Sequence, residues 1–244
     1  MQKKEMDKTG STIIKICIFS IVLSLTALFL SAAFNYWIND DKSTNVNADT
    51  IPIIVIDAGH GGVDGGAIAK DGTKEKDLNL SLALTLSDML ESFGYDVILT
   101  RSDDALLSMD GSSSSKKLQD LKKRVDIVNN TDNPILVSLH MNKFAQEKYS
   151  GVQVFYSPNN DNSSILADKI QNNIKSYLQA DNNREIKKAG SNIYLLNNIN
   201  TTGVLVECGF LSNPNECELL KNEEYRKELA SVICMSIIEF FDTL

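Results

Sequence analysis

Residues 51–66, "IPIIVIDAGHGGVDGG", set an apolar run of Ile and Val directly against a loop holding five glycines and His60. A short β-branched run closed by Asp and Gly reads as a buried strand. The glycines behind it let the backbone turn sharply at the strand's carboxyl end. Histidine is scarce in this chain, which has two, and the second, His140, closes another such run, "PILVSLH" at 134–140.

Working outward, strand-like runs recur as "YDVILT" (95–100), "GVQVFYS" (151–157), "NIYLL" (192–196) and "TGVLVE" (202–207). Helical patterns alternate with them. Leu82, Leu86, Leu90 and Phe93 predict a helix over 77–93, ended by Gly94. Leu118, Leu121, Val125 and Val128 share one face of a second helix over 116–130. Leu166, Ile170, Ile174 and Leu178 mark a third, with Ser163 or Ser164 as its cap, and a closing helix is expected over 223–241. This alternation is the pattern of an α/β fold with a mostly parallel sheet.

The chain has 244 residues, 43% of them hydrophobic and 23% charged, enough for one good core plus an appendage. Its net charge of -8 argues against nucleic acid as a partner, since phosphate binding needs a basic face. Cys17, Cys208, Cys217 and Cys234 show neither a CxxC spacing nor the density of a disulfide scaffold; Cys17 lies in an apolar segment, and the other three read as buried thiols.

The appendage is amino-terminal. Residues 16–34, "ICIFSIVLSLTALFLSAAF", carry no charge and are long enough to cross a bilayer as a helix. Lys3, Lys4, Lys8 and Lys15 precede this stretch, which places the amino terminus in the cytoplasm and the remainder outside. The small residues "SAA" before Phe34 also suit a signal-peptide cleavage site, in which case the protein is secreted; Tyr36 and Trp37 suit an interfacial anchor. Residues 1–11 thus read as a cytoplasmic end, 12–38 as a transmembrane anchor or signal segment, 39–50 as a linker and 51–244 as the globular domain.

His60, His140 and Glu207 all fall at carboxyl ends of expected strands, the edge where ligands bind in open α/β sheets. Two imidazoles and one carboxylate are a donor set of catalytic zinc. On residue type and placement, Asp57, Asp64, Glu75, Asp77 and Glu207 are all open as the third ligand. Strand alternation turns Cys208 away from whatever Glu207 faces.

The segments "VIDAGHGGVDGGA", "KEKDLNL", "TRSDD", "LVSLHMN" and "VLVECGFLSNPNE", in this order, resemble the zinc-dependent N-acetylmuramoyl-L-alanine amidases of bacterial cell walls, the amidase_3 family. The resemblance runs from Pro52 to Phe241 and makes 51–244 an amidase_3-like catalytic domain. It implies a twisted six-stranded sheet flanked by helices on both faces, one zinc ion held by His60, Glu75 and His140, and Glu207 as the catalytic acid/base. It further implies peptidoglycan as substrate, cut at the amide between N-acetylmuramic acid and L-alanine. Asn79, Asn142, Arg101 and Arg124 also match; the asparagines are expected to orient ligands or substrate, and the arginines to serve the site or to form a salt bridge or helix-surface charge.

In place of the proline common before the "VLVE" strand, this chain has Thr201, Thr202 and Gly203, which are expected to loosen that entry. An apolar leader before a bare catalytic domain is similar to the germination amidases of spore-forming bacteria, which help make muramic-δ-lactam in the spore cortex. That arrangement implies attachment to the membrane and an activating or tethering protein partner. A non-catalytic wall-binding or activator module on the same fold, and a related zinc carboxypeptidase or deacetylase, are the competing functions.

Overall fold

The computed structural model describes residues 51–107 and 113–243. Its strands are β1 (Ile53–Ala58), β2 (Val97–Leu99), β3 (Pro134–Asn142), β4 (Gln153–Tyr156), β5 (Lys187–Lys188) and β6 (Thr202–Phe210). They form one sheet in the order β2-β1-β3-β6-β4-β5. From β2 to β6 the pairing is parallel; β4 runs antiparallel to β6, and β5 parallel to β4. The helices are α1 (Glu75–Ser92), α2 (Ser113–Asn130), α3 (Asn162–Tyr177), α4 (Tyr194–Asn198), α5 (Pro214–Lys221) and α6 (Glu223–Phe241).

Alternate residues of the central strands point to opposite faces, so each strand feeds two cores. Ile54, Ile56, Val137, Leu139, Val204 and Val206 pack on one face under α1, α3 and α6, whose Leu82, Ile170 and Ile233 are fully buried. Val55, Leu136 and Leu205 point the other way, against Val128 of α2 and Leu195 of α4. Burying each such side chain contributes about 1.5–3 kcal/mol. The same alternation puts Asp57, Ser138, His140 and Glu207 on the α2/α4 face. Cys208 belongs to the opposite core, as strand geometry requires.

The expected α/β architecture with a mostly parallel six-stranded sheet is present, with corrections. "NIYLL" is not a strand: its residues enter the short helix α4, where Leu195 and Leu196 are buried. A run this short fits either state, and packing against the sheet decides it. The sixth strand is instead the exposed pair Lys187–Lys188, which carries no apolar pattern and exists through pairing with β4. Helix α3 starts at Asn162, and neither serine caps it; Ser163 Oγ accepts from Gly203 N at 3.0 Å and so ties the helix to β6. Helix α5 was not foreseen, although Asn213 caps it and Pro214 sits at its first position.

Nor is the entry to β6 loose. Thr201 donates its hydroxyl to the carbonyl of Pro134, and Thr202 donates to Asn160 Oδ1 at 3.1 Å. Gly94, with φ of 86°, ends α1 as expected. The apolar segment 16–34 and the boundaries at 11, 38 and 50 lie outside the described residues. Among the described residues, no helix is long and apolar enough to cross a membrane.

Candidate metal centre

Strand β1 ends at Ala58, and His60 follows with φ of 63°, in the left-handed region that costs an L-residue roughly 1–2 kcal/mol. The conformation is held by hydrogen bonds to three successive carbonyls. Arg124 donates to the oxygens of Ala58 and His60, both at 2.8 Å. Arg101 donates to those of Ala58 at 2.9 Å and Gly59 at 3.1 Å, and Asn79 also reaches Gly59 O at 3.1 Å. Both arginines are buried, at 4% and 1% exposure, so neither is a helix-surface charge.

Arg124 pairs with Asp57 at 2.5 Å and with Asp120 at 2.7 Å. Thr100 and Ser138 donate to the other free positions of the Asp57 carboxylate, at 2.8 and 2.6 Å. Burial raises the pKa of Asp57, but Arg124, His140 and the two hydroxyls outweigh it and hold the group at about 2. Asp57 is therefore fully engaged beneath the loop and is not available as a ligand.

Glu75, the first residue of α1, meets both histidines. His140 Nδ1 lies 2.9 Å and His60 Nε2 3.2 Å from its Oε1, and the two rings meet edge to face with centroids 5.0 Å apart. Backbone amides of Ala67 and Met141 donate to Oε2 and Oε1 at 2.7 and 3.1 Å, and Asn79 adds a bond of 3.3 Å. Burial opposes its charge, yet the bonds from His140 and His60 hold the carboxyl well below the usual range. Asp77 is exposed on the first turn and stands apart from the cluster.

Asp64 Oδ2 lies 3.0 Å from His60 Nδ1. Burial would lower the His60 pKa, but the bonds to Asp64 and Glu75 raise it to about 9. Asp64 thus braces a ligand candidate instead of being one. The glycines make room for this convergence: a Cβ at Gly59 would stand 2.3 Å from the His140 ring. One at Gly66, where φ is 66°, would stand 2.6 Å from Glu75 Oε2 and 2.7 Å from the His60 ring.

His60, Glu75 and His140 each offer one donor atom, all within 4.8 Å of one another. In the neutral ring, with Nδ1–H given to Asp64, Nε2 of His60 would aim a lone pair at a carboxylate oxygen. Two such lone pairs at 3.2 Å require a proton or a cation between them. The donor chemistry fits a divalent ion of the zinc type, and the Asp64 contact is the outer bond that fixes a ligating histidine's tautomer.

Glu207 is the Cα partner of His140 on the neighbouring strand. Its Oε2 is shut off from solvent and has no hydrogen-bond partner among the described residues. Burial, aided by the charge of Glu75 and opposed by the histidines, pushes its carboxyl up to about 7. His60, His140 and Glu207 line a cleft of about 220 Å³, walled by Lys117 and Leu121 of α2 and by Tyr194 of α4. The α4 wall has no distinct signature in the sequence, because so short an apolar run fits a strand as well as a helix. Asn142 contributes its carbonyl, which accepts from Leu211 N at 2.8 Å.

The family profile described as N-acetylmuramoyl-L-alanine amidase matches residues 54–239, and the chain belongs to this family of peptidoglycan amidases. It is 37% identical over 193 residues to the germination-specific N-acetylmuramoyl-L-alanine amidase of Bacillus subtilis (strain 168), across 78% of this chain and 79% of that protein. Among solved structures, the CwlD amidase from Clostridioides difficile in complex with the GerS lipoprotein superposes with a TM-score of 0.76 at 42% identity, covering 79% of this chain and 100% of that one. An N-acetylmuramoyl-L-alanine amidase from Clostridium difficile 630 gives a TM-score of 0.69 at 30% identity, covering 79% and 98%.

Proposed function

We propose that this chain is a zinc-dependent amidase that removes stem peptides from spore-cortex peptidoglycan, by cutting between N-acetylmuramic acid and L-alanine. The observation that carries the reading is the meeting of His60, Glu75 and His140 beside Glu207, whose buried carboxyl has an oxygen without a hydrogen-bond partner among the described residues. His60, Glu75 and His140 would hold the ion. Zinc bound there would polarise the scissile carbonyl and lower the pKa of an attacking water from 15.7 to roughly 7.

The chain's own residues perform the proton work. Glu207, with a carboxyl near 7, is matched to accept the water's proton at neutral pH and return it to the leaving alanine nitrogen. Asp64 holds the His60 ring in register, and Asn79 holds Glu75. The α4 wall with Tyr194 narrows the cleft from one side. A binding module has no use for a carboxyl kept unpaired at this cost, which favours the enzyme.

The cortex role is supported by the 37% identity to a germination-specific amidase. Cutting there would free the muramic acid for lactam formation. Residues 12–38 would tether the domain outside the cytoplasmic membrane, or be removed on secretion. A neighbouring amidase solved with a lipoprotein supports a protein partner that tethers or activates this one. Muropeptide analysis of spores lacking this chain tests the role: loss of muramic-δ-lactam is expected, and an unchanged lactam content would refute it.

A further inference from the structure

A second cavity, about 580 Å³, opens at the same edge of the sheet as the metal group. Glu207 of β6 pairs with His140 on one side and with Gln153 of β4 on the other, and residues 148–151, just before β4, form one wall of this cavity. Arg184 lies in the facing wall. Its Nε donates to Ser150 O at 2.6 Å, its Nη1 to Gln153 Oε1 at 3.1 Å, and its guanidinium lies 4.5 Å from the centroid of the Phe210 ring. These bonds use two of its five N–H groups and go to neutral oxygens, none to a carboxylate.

Among the described residues no carboxylate is hydrogen-bonded to this braced cation, in a chain of net charge -8. Of the acids lining the cavity, Glu216 has both oxygens engaged, by Gly151 N at 2.7 Å and Phe210 N at 2.8 Å, and Asp181 is exposed. Lys148 adds a second positive charge, 5.5 Å over the Tyr149 ring. Between this cavity and the end of β3 lie Phe144 and Tyr149, with ring centroids 5.0 Å apart, each 6.4 Å from Phe210; Phe144 is 55% exposed.

We propose that this cavity is a remote subsite for a free carboxylate of the substrate's peptide, with Phe144 and Tyr149 as the floor between it and the scissile bond. The inference rests on the amidase reading and deepens it. In an intact substrate the lactyl carboxyl is consumed in the scissile amide and the amino sugars are neutral, so the free carboxylates belong to the stem peptide. A flat, preorganised guanidinium is the side chain best shaped to bind one in two-pronged fashion.

The test is calorimetric titration of the zinc-supplied full-length chain with free stem peptide, its carboxylates either free or amidated. Wild type should bind the free acid about tenfold tighter than the amide. Arg184→Gln should bind the two peptides alike. So should Asn183→Asp, an exposed position in the cavity wall, which adds a negative charge to the lining without removing the hydrogen bonds of Arg184. On muramyl peptide, the loss in both variants should fall on KM and not on kcat. Equal wild-type binding of both peptides, absence of any binding, or a tenfold preference that survives both substitutions would overturn the subsite. An acid preference in a protein that releases no L-alanine amino groups would refute the amidase reading and leave the subsite standing.

Discussion

Glu207 and His140 are direct neighbours across the sheet, Cα partners on adjacent parallel strands whose side chains share one face. The proposed proton acceptor and one proposed metal ligand are therefore set by strand register, with no loop between them. Glu207 can be changed without disturbing the three donor atoms. Glu207→Gln should lower turnover by about 10²–10⁴-fold while zinc content stays at the wild-type level. Amine release and metal analysis on the same sample check this; wild-type turnover in the variant would remove Glu207 from the mechanism.

Asp64 touches His60, one of the proposed ligands. Asp64→Asn keeps the shape but weakens the bond that fixes the ring, so zinc affinity should fall about 10–100-fold. Competition against a chromophoric chelator reads the change. Unaltered affinity would show that the contact at 3.0 Å has no bearing on metal binding.

Gly59→Ala would drive a methyl group to within 2.3 Å of the His140 ring. The ring must tilt away, and zinc occupancy should drop by about tenfold or more, as when ligand orientation is disturbed. At Gly66 the same change adds backbone strain at φ of 66°, so Gly66→Ala should lose thermal stability as well as metal. Full occupancy in both variants would contradict the packing described.

Arg124 is the buried partner of Asp57, and Arg124→Met would strand that carboxylate at a cost of about 3–5 kcal/mol. Because the folded pKa of Asp57 is depressed, from 3.8 to about 2, its contribution is present above the unfolded value and lost as pH falls through the folded one. Stability should decline by about 2 kcal/mol from this group between roughly pH 4 and pH 2. Urea unfolding across that range measures it, and Asp57→Asn should flatten the slope; an identical slope in the variant would assign the decline elsewhere.

The strands that carry the site were legible because they are continuous runs of Ile, Val and Leu buried on both faces, and both histidines close such runs. The helices with clear apolar stripes were legible for the same reason. What stayed hidden depends on partners distant in sequence. Lys187–Lys188 is a strand only because β4 lies beside it, and 192–196 is helical only because Leu195 and Leu196 find the sheet. Asp57 and Asp64 were indistinguishable from ligands by type and position. Their assignment required Arg124, 67 residues away, and the His60 ring orientation. Arg101 and Arg124 matched a pattern in the sequence, but their grip on the carbonyls of residues 58–60 is a fact of folding alone.

The most direct test of the account is product analysis of peptidoglycan digested by the purified full-length chain, first stripped of metal and then supplied with zinc. New amino-terminal L-alanine should appear with zinc and not without it, and His60→Ala and His140→Ala should abolish the restoration. Release of the same amine at the same rate from the stripped protein, or from either histidine variant, would contradict a metal centre built on these residues.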